Sequence, residues 1–201
     1  MRILASVARA MSRLKLWVLI FIVVLPVVTA QPLMGKDSKG SLHELTSVWK
    51  DQNGKTFQWK DAQGRVLLVS MVYTSCQQTC PLIMSEMSAL QKSLPAALQD
   101  KVDVLLFSMD PKRDTPERLK AYATERKLNP NWRLFNGAED DVLELGTVLG
   151  FRYKKMETGD FAHSNIFTVV DQKGQMQHQQ LELFKGRADT VAVMQNLLKT
   201  P

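Results

Sequence analysis

Cysteine is nearly absent from this chain. Cys76 and Cys80 are the only two in 201 residues, and histidine occurs three times. With three residues between them, the two cysteines make a poor structural staple. Closing so short a loop removes little entropy from the unfolded chain. No C-x-x-C-H motif is present, which excludes haem attachment of that type. Long basic runs and interleaved aromatic stripes are missing, so nucleic acid is not an expected partner. Repeats and low-complexity tracts are absent too, and no boundary divides residues 42–201 into two domains. The longest apolar run, residues 16–28, is shorter than the roughly 20 residues of a comfortable membrane span, and Pro26 interrupts it.

What is present begins with a leader pattern. Arg2, Arg9, Arg13 and Lys15 precede that apolar run, and Val28-Thr29-Ala30 offers small or neutral residues suited to cleavage. Residues 1–30 therefore read as a secretory signal peptide or a retained N-terminal membrane anchor. Either way, the bulk of the chain is expected outside the cytoplasm. The net charge of +6 is partly a leader effect: setting those four residues aside leaves 22 basic against 20 acidic residues. Residues 31–41, with Pro32, Gly35, Gly40 and scattered charge, read as a tether. The folded domain is expected over residues 42–201.

Residues 47–59 predict a hairpin turning at Asp51-Gln52-Asn53-Gly54, because Asn-Gly favours tight turns. The apolar run over 65–73 predicts a buried strand. Pro81 suits the first turn of a helix, where a missing N–H costs nothing. Leu82, Ile83, Met87, Leu90 and Leu94 continue that helix at suitable spacing towards Pro95. A second buried strand is predicted over 102–109, and Thr115-Pro116-Glu117 opens another helix. Residues 132–135 read as a short strand and 140–149 as a helix stopped by Gly150. Residues 165–170 and 175–180 flank Asp171-Gln172-Lys173-Gly174 as a second hairpin, and 187–199 reads as a closing helix. Strands alternating with helices, then a hairpin and a last helix, make an α/β arrangement with helices over a central sheet.

The cysteines sit at a predicted strand-to-helix junction, in Tyr73-Thr74-Ser75-Cys76-Gln77-Gln78-Thr79-Cys80-Pro81. A helix N-terminus favours negative charge and lowers the pKa of a nearby thiol. Thiolate is both nucleophile and metal ligand, so the junction is prepared for redox chemistry or a soft metal. Four residues at about 1.5 Å rise set the two Cα atoms about 6 Å apart, within reach of a disulfide or of one shared ion. Two thiolates seldom fill a coordination shell, and histidine is the natural third ligand for copper or zinc. His163 lies in a polar loop, Gly159-Asp160-Phe161-Ala162-His163-Ser164-Asn165, and reads either as a solvated residue or as a ligand. His43 is expected to be mobile beside the tether, and His178 to lie at the surface. Met84 and Met87 on the same helix could offer thioethers to Cu(I), but at this spacing they read as core filler. Asp110 is placed to tune the thiols or to cap the next helix. Asp114 reads as that helix's N-cap, with Glu117 completing a box-like pattern.

Three segments in order carry a resemblance. They are the cysteine stretch 73–81, Ser108-Met109-Asp110-Pro111-Lys112-Arg113-Asp114-Thr115-Pro116-Glu117, and His163-Ser164 ahead of Val170-Asp171-Gln172-Lys173-Gly174. Over about residues 45–198 the chain resembles the Sco/SenC family of thioredoxin-like copper proteins, which assist assembly of the dinuclear copper centre of cytochrome c oxidase. The resemblance implies a thioredoxin-like fold, with a central mixed sheet flanked by helices and an N-terminal hairpin. It implies that Cys76, Cys80 and His163 hold copper, as Cu(I) or Cu(II). It also implies a copper-accepting oxidase subunit as partner, a copper donor protein, and a place in the periplasm or on the outer face of the inner membrane.

Two positions depart from the family's pattern. Gln77 stands where a proline often follows the first cysteine, and Ala162 where an acidic residue often precedes the histidine. Both bear on copper affinity, since a carboxylate beside a ligand imidazole orients it. A rival reading keeps the thiols and drops the metal: an enzyme that reduces a partner's disulfide, with Cys76 attacking and Cys80 resolving. A peroxide-consuming thiol enzyme is a third. A reductase has no need of His163, whereas a copper site does.

Overall fold

A computed structural model describes residues 40–199; the leader and tether expectations fall outside them, apart from Gly40 and Ser41. β1 (Val48–Asp51) and β2 (Thr56–Gln58) form the predicted first hairpin. Asp51 closes its turn by accepting from the backbone N–H groups of Asn53 at 2.8 Å and Lys55 at 2.9 Å. β3 (Val66–Val72) is buried along its whole length, as the unbroken apolar run requires. α1 (Thr79–Lys92) follows, with Cys80 and Pro81 in its first turn. A single turn of helix, α2 (Ala96–Gln99), lies after Pro95 and leads into β4 (Val102–Ser108).

α3 (Pro116–Glu125) is capped by Thr115, whose side chain accepts from the Arg118 N–H. This corrects the expectation for Asp114, which points into the interior instead. β5 (Trp132–Gly137), α4 (Glu139–Val148), β6 (Tyr153–Lys155) and β7 (Phe161–His163) come next. β8 (Phe167–Val170), β9 (Met176–Gln180) and α5 (Arg187–Lys199) complete the order. The main sheet runs β2-β1-β5-β4-β3-β8-β9. β3, β4 and β5 pair in parallel, while the flanking strands pair antiparallel.

The β6–β7 pair is a separate two-stranded sheet. A polar loop was the expectation for residues 159–165. Three-residue strands give too short a pattern to show in hydrophobic periodicity. The turn over residues 171–174 matches expectation, with Asp171 accepting from Lys173 and Gln175 N–H, both at 2.9 Å.

The two remaining histidines are both partly enclosed. The His43 ring packs against Gly174, and its Nε2 is buried with no hydrogen-bond partner. Burial lowers the pKa of His43. His178 lies on β9, the edge strand of the sheet, where it is half-buried and its Nε2 is likewise buried and unpartnered.

Candidate metal centre

The centre is built where β3 ends. Backbone from Tyr73 to Gln78 leaves the sheet, and Asp114 fixes its start. Fully buried, the Asp114 carboxylate accepts from the Thr74 N–H at 3.0 Å, the Thr74 hydroxyl at 2.5 Å and the Ser108 hydroxyl at 2.6 Å. Ser108 ends β4, in register with Val72. One carboxylate therefore locks the cysteine loop to two strand ends. Arg118 donates to the Thr74 hydroxyl oxygen at 3.2 Å from outside.

α1 begins at Thr79 without a side-chain cap from Gln78. The sulfur of Cys76 takes over that role and accepts from the Cys80 N–H at 3.3 Å. The donor groups of a helix start therefore converge on one thiol. Its pKa is lowered to about 4, first by hydrogen bonding from the Cys80 thiol and then by backbone N–H groups of Cys80, Gln78 and Thr79. Cys80 moves the opposite way: donating to Cys76 and being buried both hold it protonated. Cys76 is 6% exposed and Cys80 0%, and both are free thiols.

His163 arrives on β7 from more than eighty positions downstream. Its ring stacks on Phe151 with centroids 5.8 Å apart and meets Tyr73 edge-on at 6.0 Å. Nδ1 lies 2.8 Å from the Ser164 carbonyl oxygen. A carbonyl only accepts, so Nδ1 carries the proton and Nε2 keeps its lone pair for a ligand. The two sulfurs and an imidazole nitrogen lie within 4.8 Å of one another, the one such group among the described residues. Ligands on a single ion are at most about 4.6 Å apart, so a small inward movement brings all three donors onto one ion. Soft thiolates and an imidazole form a donor set that fits copper.

The chain matches the SCO1/SenC family model over residues 38–199. It belongs to the SCO1/SenC family. The SCO1 protein homolog of Bacillus subtilis is 31% identical over 133 residues, which are 64% of this chain and 68% of that one. The crystal structure of a SCO1/SenC family lipoprotein from Bacillus anthracis is 28% identical with a TM-score of 0.68, over 75% of this chain and 92% of the other. Bradyrhizobium japonicum ScoI with copper bound is 25% identical with a TM-score of 0.65, over 75% and 96%. The fold of this SCO1/SenC protein is thioredoxin-like, as the resemblance implied.

Gln77 is exposed on the rim of a cavity of about 480 Å³ that opens beside Cys76 and His163. Ala162 lies on β7, and its missing carboxylate is replaced as an orienting group by the Ser164 carbonyl. Asp110 neither caps α3 nor hydrogen-bonds to a thiol. It pairs with Arg113, which also donates to the Gly159 carbonyl at 2.7 Å and so ties the β6–β7 turn down. Met84 and Met87 are buried on α1, as core filler should be.

Sequence reasoning missed the roles of Asp114 and Arg113 and the hairpin under His163. The alternation Tyr153, Lys155 and Phe161, His163 about Thr158-Gly159 is the signal that points to that hairpin.

Proposed function

We propose that this SCO1/SenC protein is an exported copper metallochaperone that helps assemble the dinuclear copper centre of cytochrome c oxidase. Copper is its cargo, held by Cys76, Cys80 and His163, taken from a donor protein and passed to the copper-accepting subunit. The observation that carries this reading is the convergence of three donor atoms within 4.8 Å. Two thiolates and a neutral imidazole give the site a charge of −1 with Cu(I) and 0 with Cu(II), so either state is tolerated. The leader pattern of residues 1–30 supports export, to the periplasm or the outer face of the inner membrane. Among the described residues, no helix is long and apolar enough to cross a membrane, so attachment would fall to that leader.

Anaerobic loading of the reduced protein with Cu(I) tests the reading. One copper per chain should survive dialysis in the wild type and be lost in His163→Ala. Equal retention in the variant overturns the ligand assignment.

The difference between the two thiols favours one alternative, a thiol–disulfide oxidoreductase. Here the Cys76 thiolate attacks a partner disulfide, forms a mixed disulfide and releases one partner thiolate. Cys80 then loses its proton and attacks the Cys76 sulfur, which closes the Cys76–Cys80 disulfide and releases the second thiolate. Two electrons pass to the partner. Mixing the reduced protein with an oxidised copper-site peptide tests this. Absence of exchange within minutes removes it.

A further inference from the structure

Met156 stands apart from the other described methionines. Met71, Met84, Met87, Met109 and Met194 are all at most 5% exposed, and Met176 packs against the core. Met156 is 44% exposed, so it is not filling space in the core. It sits instead on the cavity of about 480 Å³ that also admits Cys76 and His163.

Its backbone is fixed there. Met156 N–H donates to the Asp160 carbonyl at 2.8 Å, and its own carbonyl accepts from Gly159 N–H at 3.0 Å. The turn is tied to the body of the protein through Arg113 and the Gly159 carbonyl. The flexible, polarizable side chain thus hangs from an anchored turn at the mouth of the centre.

We propose that Met156 is a soft fourth ligand that closes over Cu(I) at the cavity mouth. The proposal rests on the copper reading above. Cys76, Cys80 and His163 supply three donors, one fewer than a tetrahedral shell, and two of them, Cys76 and His163, line the cavity that Met156 also lines. A thioether is neutral, so joining leaves the charge of the Cu(I) site at −1. Asp160 lines the same cavity. Its carboxylate would take that charge to −2 in a partly desolvated site and is a harder donor than Cu(I) prefers. Met156 therefore favours Cu(I) over Cu(II). It is also the weakest and outermost of the four, so an incoming thiolate from the acceptor displaces it first. No proton or electron moves in that exchange.

The test uses the full reduced chain, made with selenomethionine and loaded anaerobically with Cu(I). X-ray absorption at the copper and selenium edges should show a direct copper–selenium neighbour, absent in Met156→Leu. Competition with bathocuproine disulfonate should show Cu(I) affinity falling by about tenfold or more in Met156→Leu, the lower end of what losing a group that supports a metal site costs. Cu(II) affinity should not change. One tightly held Cu(I) with no selenium neighbour, or equal Cu(I) affinity in the variant, overturns the Met156 assignment and leaves the three-ligand reading intact. Failure of the wild type to hold Cu(I) overturns both.

Discussion

Cys76 and Cys80 are one helical turn apart, yet their chemistry is opposite. Cys76 collects the N–H groups of a helix start, and Cys80 is buried behind it and donates to it. The native pKa of Cys76, about 4, lies below the ordinary thiol value of roughly 8.5. Between those values the native protein binds fewer protons at this site than the unfolded chain. The stability Cys76 contributes therefore rises with pH across that window and is lost as pH falls towards 4. Cys80 has the reverse sign, and its contribution is lost as pH rises above the unfolded value. In the apo protein, alkylation by iodoacetamide should be nearly constant from pH 6 to 8, fall away below pH 5, and map by mass spectrometry to Cys76 alone. A rate that climbs tenfold per pH unit through neutrality would show an ordinary thiol. The thiol pair was legible from spacing and from the apolar run before it. Which thiol ionises was legible only as far as exposure, because it depends on where each sulfur points. Asp114 reads as a cap because Asp-Thr-Pro-Glu fits one locally; its partners are Thr74, in the loop after β3, and Ser108, at the end of β4.

The β6–β7 hairpin is the element on which His163 depends. Its strands are three residues each, too short to stand alone, so tertiary contacts hold it. Arg113 grips its turn at the Gly159 carbonyl, and Phe161 N–H donates to the Tyr73 hydroxyl at 3.4 Å. Burial raises the Tyr73 pKa to about 12, so that hydroxyl stays neutral at physiological pH. Arg113→Ala should leave the thiol pair reactive as before while loosening the hairpin. Hydrogen exchange over residues 153–163 should quicken, and copper affinity should fall by about 10- to 100-fold, as for loss of an outer partner of a metal ligand. Unchanged exchange there would show that Arg113 is not the anchor. Sequence patterning found the long elements, β3, β4 and α1, because their burial runs for many residues. It passed over this hairpin because what holds it lies at Tyr73 and Arg113, far away along the chain.

At the scale of the whole molecule, strand alternation indicated an α/β sheet but not its order. β8 lies beside β3 and β5 beside β1, pairings between segments about a hundred and about eighty-five residues apart. Nor did composition show how the domain starts. Ser41, read as the end of a tether, donates its hydroxyl to the Lys173 carbonyl at 2.6 Å, and Leu42 N–H donates to the Gly174 carbonyl at 2.8 Å. Residues 171–174 thus clasp the point where the chain enters the domain. Gly174 makes the clasp possible in two ways. Its φ is +80°, which side chains resist, and a Cβ there would overlap the Ser41 hydroxyl and the His43 ring. Gly174→Ala should cost about 1–3 kcal/mol, the usual range for such a strained residue, and lower the melting midpoint by several degrees. It should also speed exchange at Leu42 N–H, while copper stoichiometry and Cys76 alkylation stay at wild-type values, because the clasp and the metal centre share no side chain. A variant that melts as the wild type does would mean that the entering segment is not held at this turn.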